Sequence, residues 1–437
     1  MKVIAVIITL LWLPFVVFSW QPESDFYFWR HQLTLLTGAL GFAYMSVAML
    51  LAMRFPRVEE YVRGLDKGYA IHKQMGIGAL VTLVLHWLII ESAKWLIALD
   101  MLARPERRAR IGQMSESINW TQWAKVVGEY SFYAFVLFIA ISLIQAISYR
   151  RFHFIHKVAG ALFLAGVFHS VILLEYEWSA AAMNAVMLVC ALFGSVFALI
   201  SLSSKIGRRR TVNGKVISLI PVRDDTSNYR VLHLSIQLDS ALDYHPGQFA
   251  YLNFKDGEPP HPFSVLAYDA SEQIVQFAIK DLGDYTHQLF EQMSVNQTVR
   301  VEGGYGRFQI PAHEQQVWIG AGIGIVPFLA WLQALRITPS SSARHIELFY
   351  CRENENQRYF VQLLDKLVQG LPNVTLYVYT ASQNQYLCAE RVARQLDLSR
   401  SSVSFCGPVG FGHSLKNQLV NMGLDKHYFY SERFAMR

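Results

Sequence analysis

Six apolar segments, at about 3–20, 31–53, 70–95, 127–148, 154–175 and 179–203, fill most of the first 204 of the 437 residues. Most approach the ~20 residues that a bilayer core requires of a helix. A backbone inside a membrane must satisfy its own hydrogen bonds, so segments of this length and apolarity fold as a helix bundle. The whole chain is 53% hydrophobic and 16% charged, a balance foreign to a single soluble globule. After residue 204 the texture becomes that of a soluble α/β or α+β protein. The opening run MKVIAVIITLLWLPFVVFSW has the make-up of a signal peptide as well as of a first membrane helix. No clear small-x-small cleavage site follows it, and it is read here as a retained helix.

Charge placement orients the bundle. Arg54, Arg57, Arg63 and Lys67 follow the second segment; Arg150, Arg151 and Lys157 lie between the fourth and fifth; Lys205, Arg208, Arg209 and Arg210 follow the last. By the positive-inside bias these clusters and Lys2 place both termini and the soluble half in the cytoplasm. Arg104, Arg107, Arg108 and Arg110 in the outer loop run against the bias. Net charge is +6, and the basic clusters read as topology and lipid contact; no nucleic-acid motif is present. The four cysteines, Cys190, Cys351, Cys388 and Cys406, lack metal-ligand spacing and fit a reducing cytosol.

Histidines stand out in this apolar half. The third segment carries His72 and His86, fourteen residues apart; the fifth carries His153, His156 and His169, the last two thirteen apart. Along a helix these separations are roughly 20 Å, so two neighbouring parallel helices present imidazoles at two matching depths. Two axial imidazoles at each depth is what a six-coordinate heme iron needs. A single membrane histidine is as well explained by packing or a proton path; matched depth on two segments is not. Fourteen residues return to nearly the same helix face, whereas thirteen miss by roughly 140°, so the fifth segment needs a local change of winding, for which Gly160 and Gly166 are candidates. His153 is the spare ligand.

From about 211 to 311, strand-like runs broken by Pro and Gly predict a small antiparallel barrel. Strands and helices then alternate, which predicts a doubly wound parallel sheet with nucleotide at the strand C-termini. Four motifs carry chemistry. His261-Pro262-Phe263-Ser264 offers a ring face and a hydroxyl to a flat ring system. Lys280 to Leu289, with Gly283, Tyr285 and Thr286, runs from a strand through a tight turn into a helix start suited to pyrophosphate; Asp284 is equally readable as a plain N-cap. In Gly320-Ala-Gly322-Ile-Gly324-Ile-Val-Pro327 the glycines allow close phosphate approach, with Pro in place of the third Gly of the dehydrogenase fingerprint. Cys406-Gly407-Pro408 follows another strand, where Cys406 lies either beside a nicotinamide or simply buried.

Taken in this order, the motifs resemble the flavocytochromes of the NADPH oxidase and ferric reductase superfamily over nearly the whole chain. The resemblance implies three domains: a six-helix heme domain (1–204), an FAD barrel (205–311) and an NAD(P)H-binding α/β domain (312–437). It implies two b-type hemes, the inner held by His72 and His156 and the outer by His86 and His169. His261, Pro262, Phe263 and Ser264 would cradle the flavin ring, and Gly283 and Thr286 its pyrophosphate, within a motif that includes Lys280 and Tyr285. Gly320, Gly322, Gly324 and Pro327 would receive NADPH or NADH, with Cys406, Gly407 and Pro408 near the nicotinamide. Phe434, in the tail SERFAMR, would lie against the flavin and move aside for nicotinamide. Arg352 sits where an adenosine 2′-phosphate is read, which points to NADPH. Two positions depart from the pattern. Animal-type oxidases have a histidine where this chain has Ile90, and Gly303-Gly304 replaces the usual Gly-Pro; Arg30 or His31 is the candidate for the outer heme edge. The expected acceptor is oxygen, giving superoxide; the alternatives are a ferric chelate, or service as the electron-transfer heme subunit of a partner. No obligatory protein partner is evident in the sequence.

Overall fold

The computed structural model describes residues 1–103, 118–144, 147–223, 229–337, 344–394 and 397–432. They form two compact units: Met1–Val58 with Gly68–Ile206, and Glu59–Lys67 with Gly207–Arg437. Arg104, Arg107, Arg108, Arg110 and Phe434 lie outside the described residues.

The first unit is helical: α1 (Lys2–Ser19), α2 (Phe26–Ala52), the start of the short α3 (Pro56–Tyr61), most of α4 (Leu65–Ala98), α5 (Trp120–Leu143), α6 (Tyr149–His156), α7 (Val158–Ile172) and α8 (Ala181–Leu202). Among the described residues six spans are long and apolar enough to cross a membrane, with α6 and α7 forming one of them. Asp25 caps α2 by accepting from Phe28 N–H at 3.1 Å, a bond that satisfies one of the unpaired donors of the first turn. Ile8, Trp12 and Val16 of α1 bury against Phe42, Phe163, Met183 and Met187. Many other large apolar side chains stay exposed, such as Leu137, Leu192 and Phe193. A water-soluble bundle would bury such a band; in lipid it is the solvent-facing surface.

The change of winding falls at Lys157, directly after His156, and not at Gly160 or Gly166. There Lys157 N–H reaches both His153 and Phe154 carbonyls at 3.3 Å, and Gly160 N–H bonds Lys157 O at 3.2 Å. Bonds to i−3 are tighter than the α pattern and shift the angular position of everything downstream.

The second unit begins with a closed barrel in the order β1-β2-β5-β4-β3-β6. Its strands are β1 (Thr211–Arg223), β2 (Arg230–Leu238), β3 (Phe249–Asn253), β4 (His261–Asp269), β5 (Ile274–Lys280) and, after α9 (Asp284–Gln292), β6 (Thr298–Tyr305). Leu234, Ile236 and Leu238 of β2 point inward at alternate positions. Then follow β7 (Gln315–Ala321), α10 (Val326–Ile337), β8 (His345–Arg352), α11 (Arg358–Val368), β9 (Val374–Thr380), α12 (Ala389–Ala393), β10 (Ser401–Cys406), α13 (Val409–Asn421) and β11 (Phe429–Glu432). These strands make a parallel sheet in the order β11-β10-β7-β8-β9. Every residue of β10 is buried, as a strand covered on both faces must be. Trp318, Phe328 and Trp331 share one core with Val231, Leu266 and Phe308, so sheet and barrel are a single packed body. The fold class is the one the sequence predicts. The departure is Glu59–Lys67, which the charge pattern marks only as a cytoplasmic loop and which belongs to the reductase unit.

Candidate functional site

In the helical unit, His72 faces His156 with ring centres 5.8 Å apart, and His86 faces His169 at 6.3 Å. Two collinear imidazole–metal bonds of about 2.0 Å leave ring centres roughly 6 Å apart, so each gap admits a metal ion. The orientation fits as well. Nδ1 of His72 lies 2.9 Å from Ala48 O, Nδ1 of His86 2.9 Å from Thr34 O, and Nδ1 of His169 2.8 Å from Ala124 O. A carbonyl only accepts, so Nδ1 carries the proton and Nε2 keeps the lone pair that ligates. Nδ1 of His156 is buried with no hydrogen-bond partner among the described residues. His153 packs near Tyr149, and it is His156 that meets His72.

Close approach of α5 over His169 depends on Gly128: a Cβ there would sit 2.2 Å from His169 Nδ1. Gly38 serves His86 similarly, at 3.1 Å from Cε1. A cavity of about 810 Å³ contains His86 and His169 and is lined also by Arg30, His31, Ile90 and Glu175. That is within the range of cofactor-sized sites. Arg30 donates to the Ile89 and Ile90 carbonyls at 3.1 and 2.7 Å, and His31 pairs with Glu175 at 3.2 Å.

In the reductase unit, β4 carries His261 to Ser264 along the barrel. Ser264 Oγ is buried without a partner among the described residues, an orphaned polar atom of the kind a ligand satisfies. His261 stacks on Tyr285 at 3.8 Å and 16°, and Tyr285 OH donates to Asp256 at 3.0 Å. Phe263 packs on the barrel core and Pro262 pairs with Tyr251 across the sheet. Gly283, not Asp284, caps α9. Thr286 Oγ1 accepts from Leu282 and Gly283 N–H at 2.9 and 3.0 Å, so its hydroxyl closes the turn. Lys280 lies over the Tyr229 ring at 5.6 Å.

β7 is flanked by β8 on one side and β10 on the other, so the chain reverses its direction of progress across the sheet between β7 and β10. Ligands bind at such switch points. The turns after these two strands meet there. A Cβ on Gly324 would lie 2.2 Å from Cys406 O, and one on Gly407 2.7 Å from Ala321 Cβ. Gly320 packs as closely on Ile325, and Gly322 has φ +56°, where glycine is favoured. Pro327 is buried in the first turn of α10, and Pro408 caps α13. Cys406 is fully buried; burial first, then the negative charges of Glu432 and Asp66, push its thiol well up. It is a neutral thiol at pH 7, able to pack and donate but not to attack. Arg352 ends β8, donating to Thr380 Oγ1 and Glu355 O, each at 2.9 Å.

Three acidic residues went unread in the sequence. Glu59 Oε1 accepts from Gly306 N–H at 2.7 Å while Oε2 meets Arg210 at 3.2 Å. Asp66 and Glu432 are 7% and 5% exposed. A charged residue in a membrane loop or near a chain end ordinarily signals solvent, so only the fold reveals their burial.

Fold and site together define a membrane-embedded flavoprotein oxidoreductase. Residues 37–167 match the family model of the ferric reductase like transmembrane component, and residues 218–317 that of an FAD-binding domain. This succession is the architecture of the NADPH oxidase and ferric reductase superfamily, and the chain belongs to it. The reductase half is similar to the 2-halobenzoate 1,2-dioxygenase electron transfer component of Burkholderia cepacia, 23% identical over 240 residues, or 52% of this chain and 69% of that protein. The anthranilate 1,2-dioxygenase electron transfer component of Acinetobacter baylyi is 26% identical over 215 residues, 47% of this chain and 62% of that one. Among solved structures, an Amycolatopsis cytochrome P450 reductase, GcoB, gives a TM-score of 0.45 at 16% identity, covering 52% of this chain and 70% of its own.

Proposed function

We propose that this protein passes electrons from cytosolic NADPH through FAD and two b-type hemes to an acceptor across the membrane, with oxygen as the acceptor and superoxide as product. The observation that carries the reading is the pair of opposed histidine couples, with Nδ1 of three of the four histidines anchored on a backbone carbonyl. When bound, FAD takes the two electrons of a hydride and releases them singly to hemes that carry one each.

The chain's own residues prepare each stage. Ser264 offers an unspent hydroxyl and His261 a ring face at the barrel. The turns around Gly322–Gly324 and Cys406–Gly407 leave room for a nucleotide at the switch point, and Arg352 supplies the cation for a 2′-phosphate. His72 and His156, then His86 and His169, hold metal at two depths. The reductase half faces the cytoplasm under the charge argument, and lipid and a small-molecule acceptor are its partners.

A ferric chelate is the second reading. Ile90 lends the outer cavity no imidazole beside its histidine couple, while Arg30 is committed to the Ile89 and Ile90 carbonyls. One set of measurements decides. NADPH is supplied to purified protein, and cytochrome c reduction is followed with and without superoxide dismutase, then without oxygen in the presence of a ferric chelate. Dismutase-sensitive reduction supports oxygen; reduction only of the chelate replaces it. A reduced spectrum with no b-type heme bands would end the heme assignment altogether. His86→Ala is expected to lose the outer heme's bands and transfer to the acceptor, while NADPH still bleaches the flavin; retention of both hemes would return the search to other ligands.

A further inference from the structure

The four opposed histidines are not held alike. α4 carries His72 and His86 fourteen residues apart, and α2 meets them with the carbonyls of Ala48 and Thr34, also fourteen apart. α5 does the same for His169 through Ala124 O at 2.8 Å. The fourteenth residue on from Ala124 along α5 is Phe138, and there the repeat fails. Phe138 meets His156 with its ring, at 5.2 Å between centres and 34° between planes. Phe152, one turn before His156 on α6, stacks on the same imidazole at 4.9 Å and 23°. Nδ1 of His156 is left buried with no hydrogen-bond partner among the described residues. The spacing supplies the cause. His156 and His169 are thirteen apart, so a carbonyl register that suits one of them on α5 misses the other.

We propose that Phe138 and Phe152 are the positioning residues of His156, setting its ring by contact where a hydrogen bond sets the other three, and that the inner couple is in consequence the one that favours reduced iron. The proposal rests on the heme reading above. An Nδ1–H that donates to a carbonyl leaves more electron density on Nε2, and a more electron-rich ligand favours the ferric state. In the outer couple both His86 and His169 have that bond; in the inner couple only His72 has it. The inner site then has the higher reduction potential and the outer site the lower.

This ordering has a consequence for the route. Each transfer oxidises one iron by one electron and reduces the next, so an electron coming from the flavin rests at the inner couple until the outer one has been emptied. The stronger reductant stands at the outer couple, which opens on the cavity lined by Arg30 and Ile90. That is the end at which the acceptor is expected, and a reluctant acceptor such as oxygen is served best by the stronger reductant.

Potentiometric titration of the purified full-length protein, followed in the visible heme bands, tests this. Two separate one-electron waves are expected in the wild type. Phe138→Gln offers His156 a carboxamide acceptor and should move the higher wave downward while the lower one stays. Phe138→Leu keeps an apolar side chain, offers no acceptor and should not lower it. Coincident wild-type waves, a higher wave that Phe138→Gln leaves in place, or an equal downward shift in Phe138→Leu would overturn the assignment. Where Phe138→Gln holds no heme, His86→Ala decides. With only the inner couple intact, its remaining wave belongs at the higher wild-type potential, and a wave at the lower one overturns the order. Absence of b-type bands from the wild type would end the heme reading itself, whereas two hemes in the reverse order would end this inference alone.

Discussion

Nδ1 of His169 is where one missing atom decides how a proposed heme ligand is held. Ala124 O takes its proton at 2.8 Å because α5 closes over the ring at Gly128. A methyl group there would stand 2.2 Å from Nδ1 and 2.5 Å from Cε1, so helix or ring must move. Under the proposed heme assignment, Gly128→Ala is therefore expected to lower outer-heme affinity by about 10- to 100-fold, the usual cost of losing an outer-shell partner. Heme content of the purified variant measures it, and full occupancy would show that the carbonyl does not orient the ligand. Arg352 is the parallel case in the reductase unit. Its Nε and Nη1 are held by Thr380 and Glu355, which presents the guanidinium in a fixed plane at the end of β8. Hydrogen bonds to charged groups contribute about 1.5–3 kcal/mol. Arg352→Ala should then raise the KM for NADPH about tenfold or more and that for NADH much less. Equal loss for both would remove Arg352 as the 2′-phosphate reader.

Among the elements, the ones legible in the sequence are those whose pattern has a single physical cause. Apolar runs of bilayer length gave six spans, and the alternation after residue 312 gave the parallel sheet, with β7 and β10 bringing the glycine turn and Cys406 side by side. The winding change was legible as a need and not as a place. Arithmetic on thirteen residues demanded it, but glycine was the wrong marker, because an i−3 turn at Lys157 needs only a shift of hydrogen bonds and no special φ. Of the two readings of the α9 start, the plain Asp284 cap falls away: Asp is a strong capping residue, yet Gly283 is the cap and Thr286 closes this turn from inside the helix. Where two elements meet, a single atom becomes costly. Gly324→Ala would drive a Cβ to 2.2 Å from the Cys406 carbonyl, against backbone that cannot rotate away. Overpacking of this kind costs about 1–3 kcal/mol. The expected results are a lower unfolding midpoint, followed by flavin release on heating, and weaker NADPH binding. An unchanged midpoint would mean the two turns are free to separate.

At the scale of the molecule, the chain is not a membrane unit followed by a reductase unit. It leaves the helical unit after Val58, gives Glu59–Lys67 to the reductase unit and returns at Gly68. Glu59 is the anchor of that excursion, 4% exposed and bound at both oxygens. Arg210, its ionic partner, also donates to Gly304 O at 3.1 Å and lies over the Tyr305 ring at 4.8 Å, so the pair is built into the end of the barrel. Removing one partner of a buried ion pair typically costs about 3–5 kcal/mol, because the remaining charge stays buried alone. Glu59→Ala also strips the acceptor from the Gly306 N–H. If that cost falls on the segment and not on the whole unit, local opening rises by about 10²-fold or more. Trypsin, which cuts after Arg63 and Lys67, should nick Glu59→Ala that much faster than wild type while the flavin spectrum is unchanged. Glu59→Gln keeps an acceptor for Gly306 and should open the segment less. Equal cleavage of all three proteins would show that the segment is held by something other than Glu59.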